Sequence, residues 1–365
     1  MKFKSEKDVF AEALAAAGRV VGRTVGATQG ILLALTGNQL TVTGTDLDIT
    51  TRVTLDVIGY EDGAAVVPAR VLVDAVRVMD AGAVTVETKD DKVELALGKT
   101  HYKLHTFALV DFPKLPPVPS PTTTLTALDF IEGLSQVVRA SSNDDARPLL
   151  TGVLFTTDEG TVRMVATDSY RLAVRDLDTT QNLSASGDLL IPSRALSELQ
   201  RAASGLSVDS SIGVAATESE ITFVAGNTSI STRLIDGTYP NFRSLLPSGY
   251  ENHLRIGKDT FLSALRRMKV LAKDPTSSVR LTLHERNIDI STQSAEQGGV
   301  ADNVDADYQG AEMTIAFNPT YLMEGVEAVP GDEVVLEVSD PSKAALLHGV
   351  DDTKFRYLLM PVRVQ

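Results

Sequence analysis

The sequence predicts an α+β fold made of one module repeated three times, each copy carrying two helices packed on antiparallel sheet. Two recurrences and two breaks support this. Gly30-Ile31-Leu32-Leu33 runs into Thr45-Asp46-Leu47, and Gly152-Val153-Leu154-Phe155 runs into Thr167-Asp168-Ser169, at a constant offset of 122 residues. The pairs Val67-Pro68, Ile191-Pro192 and Asn318-Pro319 each follow an apolar stretch and precede a helical one, 124 and then 127 residues apart. A period this long is the size of a small domain and too large for a solenoid repeat. The breaks are the proline-rich run Pro113 to Pro121 and the turn-rich run Pro247 to Asn252, which suit neither helix nor central strand. Domains over 1–117, 122–249 and 252–365 follow.

Within a copy, a helix comes first. Phe10, Leu14 and Ala17 at helical spacing predict one over Asp8 to Val21. Strands follow, with period-two alternation in Gln39 to Thr43 and Thr161 to Val165 after the turn-forming Gly37-Asn38 and Asp158-Glu159-Gly160. A second helix starts just after the proline pair, as in Ser193 to Ala203, where a residue lacking an N–H costs nothing. Lys92 to Leu97 and Ile221 to Val224 read as further strands.

Composition narrows the function. At 365 residues and 43% hydrophobic, the chain can bury two or three cores. The first residues, Met1 to Asp8, contain no apolar leader, and no apolar run approaches the roughly 20 residues of a membrane helix, so the expected location is the cytoplasm. With no cysteine, disulfides, thiolate metal sites and cysteine nucleophiles are excluded. A formal charge of −14 argues against a surface that binds nucleic acid everywhere. Distribution matters more than the sum, because predicted helices carry Arg19, Arg23, Arg70, Arg77, Arg139, Arg194, Arg201, Arg266 and Arg267.

Familiar catalytic patterns fail on inspection. Gly98-Lys99-Thr100 resembles the end of a phosphate loop, but the glycine needed five residues before Gly98 is Val93. Asp305, Asp307 and Gln309 resemble a calcium loop, but Ala316 stands where a bidentate glutamate is required. His101 and His105 fall in a strand-like stretch, where that spacing does not pair two rings. An enzyme using Asp46, Asp48 and Asp168 as acid–base or metal groups is the competing reading. The recurrence of Asp46 and Asp168 at equivalent positions is better explained by a turn. No catalytic residue, metal site or cofactor is expected.

The most specific signals lie in the second and third copies. These are Arg147-Pro148-Leu149-Leu150-Thr151-Gly152, Ala166-Thr167-Asp168-Ser169-Tyr170-Arg171-Leu172-Ala173, Asp236-Gly237-Thr238-Tyr239-Pro240-Asn241-Phe242, Phe317-Asn318-Pro319-Thr320-Tyr321-Leu322 and the terminal Tyr357 to Gln365. In order and spacing the chain resembles the bacterial sliding clamps, the beta subunits of the replicative DNA polymerase, over essentially its whole length. The resemblance implies a head-to-tail homodimer in which each subunit is half of a closed ring. It implies that this ring encircles duplex DNA without reading sequence and tethers the polymerase, the clamp loader and repair proteins. Arg23, Arg70, Arg77, Arg139, Arg147, Arg194, Arg201 and Arg266 would then face DNA.

The resemblance also implies a groove for short apolar peptides, formed by Leu150, Thr167, Ser169, Tyr170, Arg171, Leu172, Pro240, Leu245, Asn318, Tyr321, Leu358, Leu359, Met360, Pro361, Val362 and Arg363. Aliphatic walls would take the anchors, Met360 would adapt to them, and Asn318 and Arg171 would make polar contacts at the lip. Ring closure would set Tyr102 and Leu104 against Val270 and Leu271 of a second subunit. Two departures from the family pattern are Ser244, where many members are basic, and Arg23 to Gln29, which replaces a proline-containing stretch.

Overall fold

The structure is a computed structural model that describes residues 1–22, 26–158, 160–179, 183, 187–246, 249–272, 274, 277–294 and 296–363. Its helices are α1 (Lys7–Gly18), α2 (Ala69–Arg77), α3 (Ala127–Val137), α4 (Ser193–Ala203), α5 (Lys258–Lys269) and α6 (Pro319–Ala328). Antiparallel pairing builds four sheets among the described residues. α4 and the strand Lys92–Leu97 coincide with the sequence expectation. α1 stops at Gly18, short of Val21, because the Arg19 and Val20 N–H groups both turn back to the Ala17 carbonyl and tighten the last turn.

The chain divides into two compact units. Unit one comprises Met1–Leu128, Leu183–Ser186 and Arg194–Leu234; unit two comprises Asp129–Asn182, Gly187–Ser193 and Ile235–Gln365. The units are out of phase with the sequence modules, because each contains one long sheet that joins strands from two of them. In unit one, the eight-stranded sheet runs Thr123–Thr126, Ser211–Ala216, Glu220–Ala225, Thr228–Arg233, Ile49–Asp56, Gln39–Thr45, Gly30–Thr36, Gly63–Pro68. Its junction pairs Thr228–Arg233 with Ile49–Asp56, placing Ser231 opposite Thr50 and Ser229 opposite Arg52. In unit two, the nine-stranded sheet has the matching junction between Phe355–Leu359 and Arg171–Asp176, with Leu358 opposite Leu172 and Arg356 opposite Val174.

Core packing follows the apolar periodicity. α1 buries Phe10, Ala13, Leu14 and Ala17. The Phe10 ring meets Phe3 edge-on at 5.7 Å, and both join the cluster containing Ile31, Leu33, Leu40 and Val42. Gly44 lets α1 sit directly on the sheet, since a Cβ there would stand 1.9 Å from the Ala17 carbonyl oxygen. In unit two, α5 and α6 bury Phe261, Leu265, Met268, Leu322 and Val326. Polar ties also hold helices together within each unit. Arg19 binds the buried Glu198 of α4 at 2.6 Å, and the Gln136 amide of α3 donates to the Ala328 carbonyl of α6 at 3.1 Å.

Candidate functional site: an apolar pocket in unit two

The pocket is built on a tight turn after Thr161–Thr167. The Asp168 carboxylate accepts from the Tyr170 and Arg171 N–H groups at 2.9 and 3.1 Å. The Thr167 hydroxyl donates to the Arg171 carbonyl and accepts from the Ser169 N–H. These bonds close the turn and hold Ser169 at φ 81°, in the left-handed region. Tyr170 is thereby held outward, 59% exposed, while Arg171 turns inward and is 9% exposed.

Arg171 is the hub beneath the turn. Its guanidinium pairs with Asp168 at 3.0 Å and with Glu324 of α6, donates to the Arg139 carbonyl, and reaches the Tyr357 hydroxyl at 3.3 Å. That hydroxyl in turn donates to the Tyr321 carbonyl at 3.0 Å. Gly325 makes room for the Tyr357 ring, because a Cβ on α6 at that point would meet it at 2.5 Å. Burial pushes the Tyr357 phenol well above its usual pKa, with Arg171 pulling the other way. The Arg171 guanidinium also lies 4.3 Å from the centre of the Tyr321 ring, on which Tyr170 stacks at 6.4 Å. One lip of the pocket is therefore an ordered aromatic and cationic stack.

The cavity holds about 120 Å³ and is lined by Thr167, Ser169, Tyr170, Arg171, Leu172, Leu245, Ala344, Leu358 and Met360. Behind it lies a buried cluster of Leu154, Val165, Leu172, Val174, Leu190, Phe242 and Leu358. Leu245 and Met360 are 53% and 46% exposed, so they stand at the mouth and can close over an incoming side chain. The Met360 N–H bonds the Tyr170 carbonyl at 2.9 Å, and the Val362 N–H bonds the Ala316 carbonyl at 2.7 Å, which fixes the tail beside the pocket. Such a site takes an aliphatic anchor in its floor and an extended segment along its rim.

The structure brings half of the sequence-assigned residues to the pocket: Thr167, Ser169, Tyr170, Arg171, Leu172, Leu245, Leu358 and Met360. Tyr321 is the second layer of its lip. Leu359 is a correction: strand alternation turns it to the opposite sheet face, where it is fully buried. Asn318 does not line the cavity; its side-chain oxygen caps α6 by accepting from Thr320 and Tyr321 N–H at 2.9 and 3.1 Å. An asparagine directly before a proline that opens a helix carries that signal in sequence. Arg171 forms the inner layer of the lip, stacked on Tyr321. Leu150 is buried, Pro240 and Arg363 are exposed, Pro361 and Val362 border solvent, and none of these five lines the cavity. Ala344 was missed, because a lone alanine in a loop gives no sequence signal.

The basic residues have varied surroundings. Arg70 and Arg266 are exposed on α2 and α5. Arg77, Arg194 and Arg201 are exposed but pair with Asp74, Asp46 and Glu198. Arg139 reaches Glu327 at 3.3 Å, and Arg147 binds Asp144 while donating to Ser169 of the pocket turn. Arg23 lies outside the described residues. Tyr102 and Leu104 belong to Thr100–His105, an edge strand of the five-stranded sheet of unit one, where Leu104 is buried in the chain's own core. Val270 is 61% exposed at the end of α5 and Leu271 is half-buried.

Comparison with known proteins accounts for the whole chain. Residues 1–116, 124–241 and 243–363 match the N-terminal, central and C-terminal domains of the DNA polymerase III beta subunit. The chain belongs to the family of bacterial sliding clamps. It is 32% identical to the beta sliding clamp of Streptomyces coelicolor and 30% identical to that of Escherichia coli, covering all of each relative. A solved sliding clamp from Bartonella birtlesii, bound to griselimycin, superposes over all of both chains with a TM-score of 0.92 at 27% identity. The family acts in DNA replication as a processivity factor rather than as a catalyst. This agrees with the aspartates at hand: Asp46 and Asp168 are engaged in closing turns. No helix among the described residues is long and apolar enough to cross a membrane.

Proposed function

We propose that this chain is one half of a closed homodimeric ring that encircles duplex DNA in the cytoplasm and tethers the replicative polymerase, the clamp loader and repair proteins by short apolar peptides. The unit-two pocket is the observation that carries the reading. It pairs an aliphatic floor with a pre-ordered Tyr170–Tyr321–Arg171 lip, the chemistry that a short peptide with aliphatic anchors requires. The griselimycin-bound clamps of Bartonella birtlesii and Pseudomonas aeruginosa support ligand capture by this family. Three domains over 1–117, 122–249 and 252–365 supply the repeated helices, with Arg23, Arg70, Arg77, Arg139, Arg147, Arg194, Arg201 and Arg266 directed to the phosphates. Water and screened charge between the arginines and the duplex would permit sliding.

For closure, the exposed edge at Tyr102 and the exposed Val270 are the available surfaces. Val270→Ala with Leu271→Ala should give monomers on sedimentation, and a persistent dimer would refute that contact. The ring itself is tested by loading the protein onto a nicked circle with a clamp loader and then linearising the DNA. Release on linearisation means topological linkage; retention through free ends means ordinary binding and overturns the proposal. Met360→Ala should weaken a polymerase-derived apolar peptide about tenfold, corresponding to about 1.4 kcal/mol, with the dimer intact; unchanged affinity in a titration would count against the pocket.

A further inference from the structure

Unit one has a cavity at the position that the repeat makes equivalent to the peptide pocket. It occupies about 400 Å³, and its lining includes Leu47, Thr50, Arg52, Leu115, Thr222 and Ser231. The correspondence is by register. Leu172 of the unit-two floor lies 122 residues after Thr50, and it pairs with Leu358 as Thr50 pairs with Ser231. Leu47 follows the turn aspartate as Ser169 does, and Leu115 lies three residues after the buried Phe112 as Leu245 lies three after Phe242. Geometry is retained while chemistry is inverted. Two floor leucines have become hydroxyl residues, and Val174 corresponds to Arg52.

Arg52 is half-buried, and burial lowers its pKa. One guanidinium nitrogen donates to the Pro116 carbonyl at 2.6 Å, and no ion pair among the described residues uses it. Arg356, which stands opposite Val174 across the unit-two junction, is by contrast paired with Asp176 at 3.1 Å. A desolvated guanidinium beside open space favours a carboxylate, which accepts two of its donors at once. Leu47, Leu115 and prolines of the linker give the wall an apolar side that suits an aliphatic side chain, and Lys114 and Arg233 add positive charge to the lining. Asp48 and Glu220 at the rim disfavour a polyanion such as nucleic acid. We propose that this cavity is a second docking site, for an extended peptide segment that places a carboxylate on Arg52 and an aliphatic side chain against Leu47 and Leu115.

The proposal does not depend on the unit-two pocket. The probe is the fluorescein-labelled hexapeptide amide Ser-Gln-Leu-Asp-Leu-Ser, with a single carboxylate, titrated by anisotropy into the full-length protein. Saturable binding is expected, weakened about tenfold by Arg52→Gln and unaffected by Met360→Ala. Thr50→Leu with Ser231→Leu keeps Arg52 and its bond to the linker but fills the floor as in unit two; it should weaken the probe to a similar degree while the thermal melt, lowered by loss of the hydroxyl bonds to Thr45 and Thr222, stays cooperative and well above the titration temperature. Equal affinity for the Asn version of the peptide, insensitivity to Arg52→Gln, loss with Met360→Ala, or displacement by inorganic phosphate at matching ionic strength would each overturn the proposal.

Discussion

The turn at Thr45-Asp46-Leu47 in unit one and the turn at Thr167-Asp168-Ser169 in unit two are the same device with different surroundings. In both, the aspartate accepts N–H bonds from the chain beyond it, the threonine ties the turn across, and the following residue has positive φ, 83° at Leu47 and 81° at Ser169. Beyond that they diverge. Asp46 pairs with Arg194, whose side chain is 54% exposed, whereas Asp168 pairs with Arg171, whose side chain is 8% exposed and shared with Glu324 and Tyr357. The backbone motif is thus a reusable corner; the buried arginine is what makes one corner a rigid lip.

The largest effect should come from removing that hub. Arg171→Ala strands Asp168 and leaves Glu324 and the Arg139 carbonyl unpaired, costing about 3–5 kcal/mol of local stability. Arg194→Ala should cost only about 0–1 kcal/mol, because its pair with Asp46 is solvated. Hydrogen exchange at the two turns reads both, and equal protection losses would break the comparison. Next comes Tyr357, whose unit-one counterpart 127 residues earlier is Ile230. Its folded pKa is raised, so its stabilising effect is complete below the unfolded value near pH 10 and is lost as pH rises from there through the folded value. Tyr357→Phe should cost about 1 kcal/mol at neutral pH and flatten the alkaline limb of unit-two unfolding; an unchanged limb would remove the phenol from the account.

The smallest effect is at the positive-φ residue. Leu47→Gly should stabilise unit one by about 0.5–1 kcal/mol through relief of a left-handed leucine, net of glycine's unfolded-state entropy. Ser169→Gly should be near neutral, since it also loses the bond from Arg147. A denaturant midpoint for each variant decides the order.

Much of this was legible in sequence. The repeat offsets located the corners, and the proline pair located α4, because a proline before a helix has a local meaning. Leu172, Leu358 and Met360 were placed at the pocket from a resemblance that their own alternation supports. The errors have physical causes. Leu359 was carried along with its neighbours although strand period two sends it to the other face. The capping role of Asn318 was overlooked although an asparagine before a helix-opening proline announces it. The depth of Arg171 was not legible, because a single arginine after a tyrosine does not show whether partners lie 153 residues away in Glu324. Pairing of Ile49–Asp56 with Thr228–Arg233 was illegible for the same reason: local pattern describes a strand but not its distant neighbour.

The continuity of the sheets across the modules also bears on how the protein is made. During synthesis, Ile49–Asp56 is complete long before Thr228–Arg233 leaves the ribosome, so the first module waits with an open strand edge while more than a hundred further residues are added. The same interval recurs in unit two, where Arg171–Asp176 waits for Phe355–Leu359. A nascent chain stalled near residue 120 or 250 therefore presents an unpaired template, and Phe355–Leu359, followed by Met360, acts as a latch that completes the unit-two sheet and its apolar pocket.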